Sequence, residues 1–143
     1  MIQIRQALQS EIDWVNACYE EVDFRPSSFD KEIIAIAEYK GQKAGLGRLV
    51  SVDSKTLELG GMYVFEAFRK KGIAGKIVEF LMKLSSKQNI YCIPFEPLIP
   101  FYSKFGFIKG FNHEEVPYSI LQKYLWCKEK YPTEVSLLFK KAT

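Results

Sequence analysis

Residues 57–86 read LELGGMYVFEAFRKKGIAGKIVEFLMKLSS, and this stretch decides the fold. In its first part Leu57, Leu59, Tyr63 and Phe65 share one parity while Met62 and Val64 take the other, the period of a strand. Gly60-Gly61 interrupts that strand and predicts a bulge, or a place where another backbone or a ligand comes close. From Ile73 the period changes. Ile73, Ile77, Phe80, Leu81 and Leu84 recur at helical spacing, with Lys76, Glu79, Lys83 and Lys87 off the stripe.

Between strand and helix lies Arg69-Lys70-Lys71-Gly72-Ile73-Ala74-Gly75, followed by Lys76. The first amide N–H groups of a helix have no intrahelical partner. Those donors, the helix dipole and the added cations make an anion site suited to phosphate. Gly72 and Gly75 remove side chains where a phosphate has to meet bare backbone. The same residues also fit an ordinary solvated turn, so composition alone leaves both readings open.

Two nucleotide motifs fail here. A P-loop ending at Gly75-Lys76 needs Gly at 70 and Ser or Thr at 77, where the chain has Lys70 and Ile77. Residues 45–50, GLGRLV, lack the third glycine of a dinucleotide fingerprint and lie inside a strand pattern.

A chain of 143 residues reads as one domain, 1–143, long enough to bury a core. Its 48% apolar and 26% charged residues are those of a soluble globular protein. The net charge of +3 comes mostly from lysine (16 Lys, 4 Arg) and calls for no nucleic acid. No apolar run is long enough for a membrane span, and no leader pattern opens the chain. Cys18, Cys92 and Cys127 are odd in number and, with the single His113, form no zinc pattern. No metal is expected, and a reduced, cytoplasmic setting is.

Along the chain, Ile2 and Ile4 begin a first strand. Ser10 is expected to cap a helix whose buried face carries Ile12, Val15, Cys18 and Tyr19. Residues 24–28, FRPSS, are a loop. Residues 33–39 and 44–52 form a hairpin about residues 40–43, and 53–56 turn into the central strand. Gly45 and Gly47 weaken their strand unless something packs closely on it. Arg48 is expected to face a substrate cleft or solvent, with solvent favoured. Residues 89–93 form a short buried strand, parallel to the central one because a helix joins them. A helix carrying Tyr102 ends at Gly106, and a strand starts at Phe107-Ile108. Residues 117–131 form an amphipathic helix and 134–140 the last strand. The aromatic content near the C-terminus suits a homodimer contact.

Two blocks resemble the GNAT family of acetyl-CoA-dependent N-acetyltransferases. Arg69-Lys70-Lys71-Gly72-Ile73-Ala74 is similar to the family's Q/R-x-x-G-x-G/A, after a strand ending Met62-Tyr63-Val64. Phe101-Tyr102-Ser103-Lys104-Phe105-Gly106-Phe107 resembles its downstream tyrosine block. The resemblance implies an α/β (α+β) GNAT fold: a mixed, mostly antiparallel sheet flanked by helices, with a splayed parallel strand pair at the cofactor site. It implies acetyl-CoA as cosubstrate, held by Tyr63, Val64, Arg69, Lys70, Lys71, Gly72, Ile73, Ala74, Gly75 and Lys76. The family's asparagine seven residues before the tyrosine is Phe95 here, and its alanine four before is Leu98. That removes one side-chain contact to the cofactor arm but none from backbone.

Acetyl transfer to an amine needs a base, because an alkyl ammonium with a pKa near ~10.4 is no nucleophile. It also needs a donor for the departing thiolate and an N–H aimed at the oxyanion. The resemblance implies Tyr102 as donor, the Val64 amide at the acetyl carbonyl, and Glu58, fourteen residues before Gly72, as base. A glutamate on a half-exposed strand is otherwise simply solvated, His113 is expected to be solvated, and Cys92 to be packing. The implied reaction is direct attack by a primary amine of a small molecule or peptide. The alternatives are an acetyl-CoA-binding regulatory domain without turnover and, last, a nucleic-acid module using Arg69-Lys70-Lys71.

Overall fold

The computed structural model describes residues 1–85, 87–109 and 113–142, with every side chain among them except that of His113. His113 therefore lies outside the described side chains. The elements run β1 (Ile2–Gln6), α1 (Ile12–Glu21), β2 (Glu32–Tyr39), β3 (Gln42–Asp53), β4 (Thr56–Val64), α2 (Ile73–Leu84), β5 (Asn89–Cys92), α3 (Ile99–Ser103), α4 (Tyr118–Lys130) and β6 (Leu138–Lys140). The strands form one mixed sheet in the order β1-β2-β3-β4-β5-β6. β1 with β2, β2 with β3 and β5 with β6 are antiparallel, whereas β4 and β5 are parallel. By its internal contacts the chain divides into one unit of residues 1–50 and 61–86 and a second of 51–60 and 87–143.

In the first unit the parity of β2 and β3 sorts side chains by size. Ile34, Ile36 and Leu46 pack with Val15, Cys18 and Tyr19 of α1. The opposite parity holds Ala35 opposite Gly47 and Ala37 opposite Gly45. These small residues let α2 come close: a Cβ at Gly47 would lie 2.8 Å from Ile77 Cγ2 and 2.5 Å from Met62 Sδ. The close neighbour that the strand glycines call for is therefore α2. At Gly45 the neighbour is backbone, with Tyr63 O 2.8 Å from a built Cβ. The buried stripe of α2 is Ile73, Ile77, Val78 and Leu81, while Leu84, expected on it, is exposed.

Ser10 does not cap α1. A 3-10 turn, Gln9–Glu11, comes first, and the Glu11 carboxylate accepts from the Leu8 N–H at 2.8 Å. Arg5 grips the same carboxylate with two bonds of 2.8 Å, and Lys43 lies 3.2 Å away. The Arg5 hydrogen bonds hold Glu11 down at about 2, against the cost of its desolvation. A carboxyl depressed in the folded state stabilises it above its unfolded pKa of ~4.3. That stability is lost as pH falls through the folded value. Glu11→Gln should therefore flatten the fall in unfolding free energy between roughly pH 4.3 and 2, as measured by urea titration across that range.

In the second unit Thr56–Leu59 pair in register with Asn89–Cys92, and the pairing stops there although β4 continues to Val64. Paired residues share a face. Tyr91 belongs to a cluster with Val116, Ile120 and Leu137, against which Tyr124 and Phe139 pack, so α4 covers the face of Tyr91. Leu59, Cys92 and Leu138 point to the other face and are buried. Two expected strands are shorter than predicted. Ile108 makes only a single bridge to Phe139. In place of strand 134–140 there is an isolated Phe95–Val135 bridge, a Ser136 N–H bond to the Pro94 carbonyl, and then β6. Pro94 has no N–H to give, so a continuous ladder cannot run beside it.

Candidate active site

The basic turn takes the shape that its glycine predicts. Gly72 caps α2 with φ of +79°, and Lys70 is also left-handed at +65°. A Cβ at Gly72 would meet nothing within 4 Å, so the helix mouth is open to solvent. Successive amides alternating in this way form a concave donor surface that suits an anion. Lys70 and Lys71 are exposed, and Lys71 Nζ stands 5.0 Å from the centre of the Tyr39 ring. Arg69 turns back, donating from Nε to the Val64 carbonyl at 3.0 Å, which ties the turn to the end of β4. Ala74, Gly75 and Lys76 follow in the first turn of α2. The turn therefore offers open amides and two cations to an anion such as a phosphate.

At the end of β4, the Phe65 N–H donates to the Ala44 carbonyl at 2.9 Å. Strand alternation then directs the Val64 N–H away from β3. The side chain of Tyr63 packs edge-on to Phe65 and donates to Glu21 at 3.3 Å. Gly61 carries the predicted irregularity, with φ of +60°.

Arg48 does not face solvent. It is 3% exposed, donates to Ser27 Oγ, approaches Glu32 at 3.8 Å and stacks 4.3 Å over the Tyr19 ring. An arginine in an otherwise apolar run has to bury its charge, and it survives there by being paired and stacked. The charge within residues 44–50, AGLGRLV, was the available signal.

The second unit holds Tyr102 and Glu58. Tyr102, on α3, is 5% exposed and stands edge-on to Phe101 at 4.9 Å and Phe107 at 6.1 Å. Burial, and then the nearby Cys92, push its phenol up, so it stays protonated far above neutrality. The Cys92 thiol is itself pushed up by burial and by the charge of Glu58, which makes it an inert packing residue. Phe95 and Leu98 stand where the family pattern has asparagine and alanine; the Phe95 ring is edge-on to Tyr131 at 5.3 Å, and Leu98 is exposed.

Glu58 is not half-exposed but buried, at 5%. Its carboxylate accepts from Lys123 Nζ of α4 at 2.6 Å. It shares the face of Tyr91, whereas Cys92 points to the opposite face. Tyr102 and Glu58 both lie within electrostatic reach of Cys92, near the end of the β4–β5 pairing. Sequence reasoning missed Lys123. Its signal was position: three residues after Ile120 and four before Cys127, it is a lysine on the buried stripe of a helix.

A groove of about 440 Å³ in the same unit is bounded by Glu96, Lys109, Tyr124, Glu134 and Ser136 among others. Ser136 Oγ donates to Glu96 at 2.9 Å. Among the described residues no cluster of His, Cys, Asp or Glu is placed to hold a metal, and no helix is long and apolar enough to cross a membrane.

A mixed six-stranded sheet with the parallel pair β4-β5, flanked by helices, matches the acyl-CoA N-acyltransferase fold. A model of the GNAT acetyltransferase domain matches residues 30–109, and the chain belongs to that family. The fold is similar to that of N-acetylglutamate synthase from Neisseria gonorrhoeae, solved with coenzyme A and N-acetyl-glutamate, at TM-score 0.72 and 15% identity. That match takes in 100% of this chain, which spans only 35% of the synthase's length. The Mycobacterium tuberculosis protein Rv2747, solved with CoA and NLQ, superposes at TM-score 0.74 and 16% identity over 99% of both chains. A GNAT acetyltransferase from Elizabethkingia anophelis with acetyl-CoA bound gives 0.63 and 17%, over 98% of this chain and 97% of that one. No curated protein sequence matches the chain.

Proposed function

We propose that the chain, as one catalytic domain, is an N-acetyltransferase that moves an acetyl group from acetyl-CoA to a primary amine of a small molecule or peptide. The observation that carries this reading is the open left-handed turn at Lys70–Gly72, which presents amides and cations at the mouth of α2. Lys70, Lys71 and the amides from Gly72 to Lys76 would hold the pyrophosphate. Tyr63 and Val64 would contact the pantetheine arm through strand backbone, with Arg69 fixing the strand end. When bound, acetyl-CoA supplies a thioester carbonyl open to attack by a neutral amine. The Val64 N–H would stabilise the developing oxyanion. Tyr102 would give its proton to the departing thiolate, and Glu58 would take one from the acceptor's ammonium. Buried thiols at Cys18, Cys92 and Cys127 go with a reduced, cytoplasmic setting.

Calorimetric titration with acetyl-CoA, CoA and ATP tests this reading. Both CoA species should bind at micromolar levels or tighter while ATP stays silent. Lys70→Ala combined with Lys71→Ala should weaken binding by about tenfold or more, and less so at high salt. Silence from both CoA species removes the reading altogether.

A further inference from the structure

The Glu58 carboxylate already holds an ammonium. Lys123 Nζ sits 2.6 Å from Glu58 Oε2, with both side chains largely withdrawn from solvent (18% and 7% exposed). Burying such a pair costs desolvation on both sides, and apolar residues of the same size are often as stable there. An external amine that meets Glu58 Oε2 would compete with Lys123 for it. Space nonetheless flanks the carboxylate on the strand side: a Cβ at Gly60 would find Glu58 Oε2 at 3.5 Å and nothing else within 4 Å. The pairing of β4 and β5 ends next to it, at Leu59 and Cys92.

We propose that Lys123 Nζ occupies the acceptor-amine position and is itself acetylated, in cis, by the chain that carries it. This inference rests on the acetyltransferase reading and narrows its acceptor to a lysine ε-amine on a helix packed over the sheet. Glu58 takes a proton from the Lys123 ammonium, freeing the nitrogen lone pair. The nitrogen attacks the thioester carbonyl, an N–C bond forms, and the C–S bond breaks with its electron pair leaving on sulfur. Of the two protons that Nζ gives up, one ends on the thiolate as CoA thiol and the other passes to solvent. No oxidant or reductant is needed. The product is a neutral amide, which can no longer pair with Glu58.

The purified chain is mixed with acetyl-CoA and followed by intact mass and peptide mapping, with binding measured in parallel by calorimetry. The expected result is one added acetyl group on Lys123, at a rate independent of protein concentration and well ahead of exposed Lys104 and Lys128. Lys123→Arg keeps the charge pair and the fold, and should bind acetyl-CoA normally without gaining that group. Glu58→Gln should slow the modification of Lys123 by about 10²-fold or more, leaving the exposed lysines unaffected. Binding without faster modification of Lys123, or a Glu58→Gln rate equal to wild type, overturns this inference and leaves the acetyltransferase reading standing. Absence of acetyl-CoA binding overturns both.

Discussion

If Tyr102 is the proposed proton donor, Tyr102→Phe should lower kcat for acetyl transfer by about 10²- to 10⁴-fold while acetyl-CoA affinity stays within about twofold of wild type. The argument is one of proton supply. A thiolate leaves more readily when a proton meets it, and Tyr102 is a phenol that burial keeps protonated. Phenylalanine preserves the ring contacts with Phe101 and Phe107 and removes only the hydroxyl. Stability therefore changes little, and the loss falls on kcat alone. Steady-state kinetics paired with calorimetry separates the two quantities. A fall of less than threefold in kcat would show that the thiolate leaves unaided or finds its proton elsewhere.

Gly61→Ala should cost about 2–5 kcal/mol of folding free energy. A left-handed residue with a side chain carries a penalty of about 1–2 kcal/mol. The added Cβ would also sit 2.5 Å from Tyr19 Oη and 2.8 Å from Arg48 Nε, and overpacking of that kind adds about 1–3 kcal/mol. Neither neighbour yields easily. Tyr19 is fully buried, and Arg48 is held by Ser27 and Glu32. Thermal unfolding should report a drop in Tm of roughly 5–15 °C for a domain of this size. Gly60→Ala is the internal comparison, since its Cβ meets only ordinary contact. A Tm for Gly61→Ala equal to that of Gly60→Ala would mean that the strand irregularity relaxes without strain.

The strands and helices that the sequence makes legible are those whose pattern is local. α2 and its turn could be read from Ile73, Ile77, Leu81 and Gly72 alone, because periodicity and a left-handed cap are properties of neighbouring residues. The parallel pairing of β4 with β5 followed from the helix between them. What stayed hidden depends on partners distant in sequence. Glu58 looked like a solvated strand residue because its partner, Lys123, is 65 positions away. Arg48 looked exposed because Ser27, Glu32 and Tyr19 reach it only through the fold. Residues 134–140 alternate well enough for a strand, and only the proline across from them, Pro94, shortens the ladder. The family blocks pointed to the cosubstrate side. Lys123 of α4, the partner of Glu58, lies in no such block.

The three buried thiols turn the chain into its own stopwatch. Cys18 belongs to the first unit, Cys92 and Cys127 to the second. A probe that reacts with cysteine reaches a buried sulfur only during a transient opening, so each labelling rate measures how often that neighbourhood breathes. No probe site has to be engineered: the sulfur of Cys92 lies one residue along β5 from the partner of Glu58, and its labelling rate records how often that part of the sheet opens.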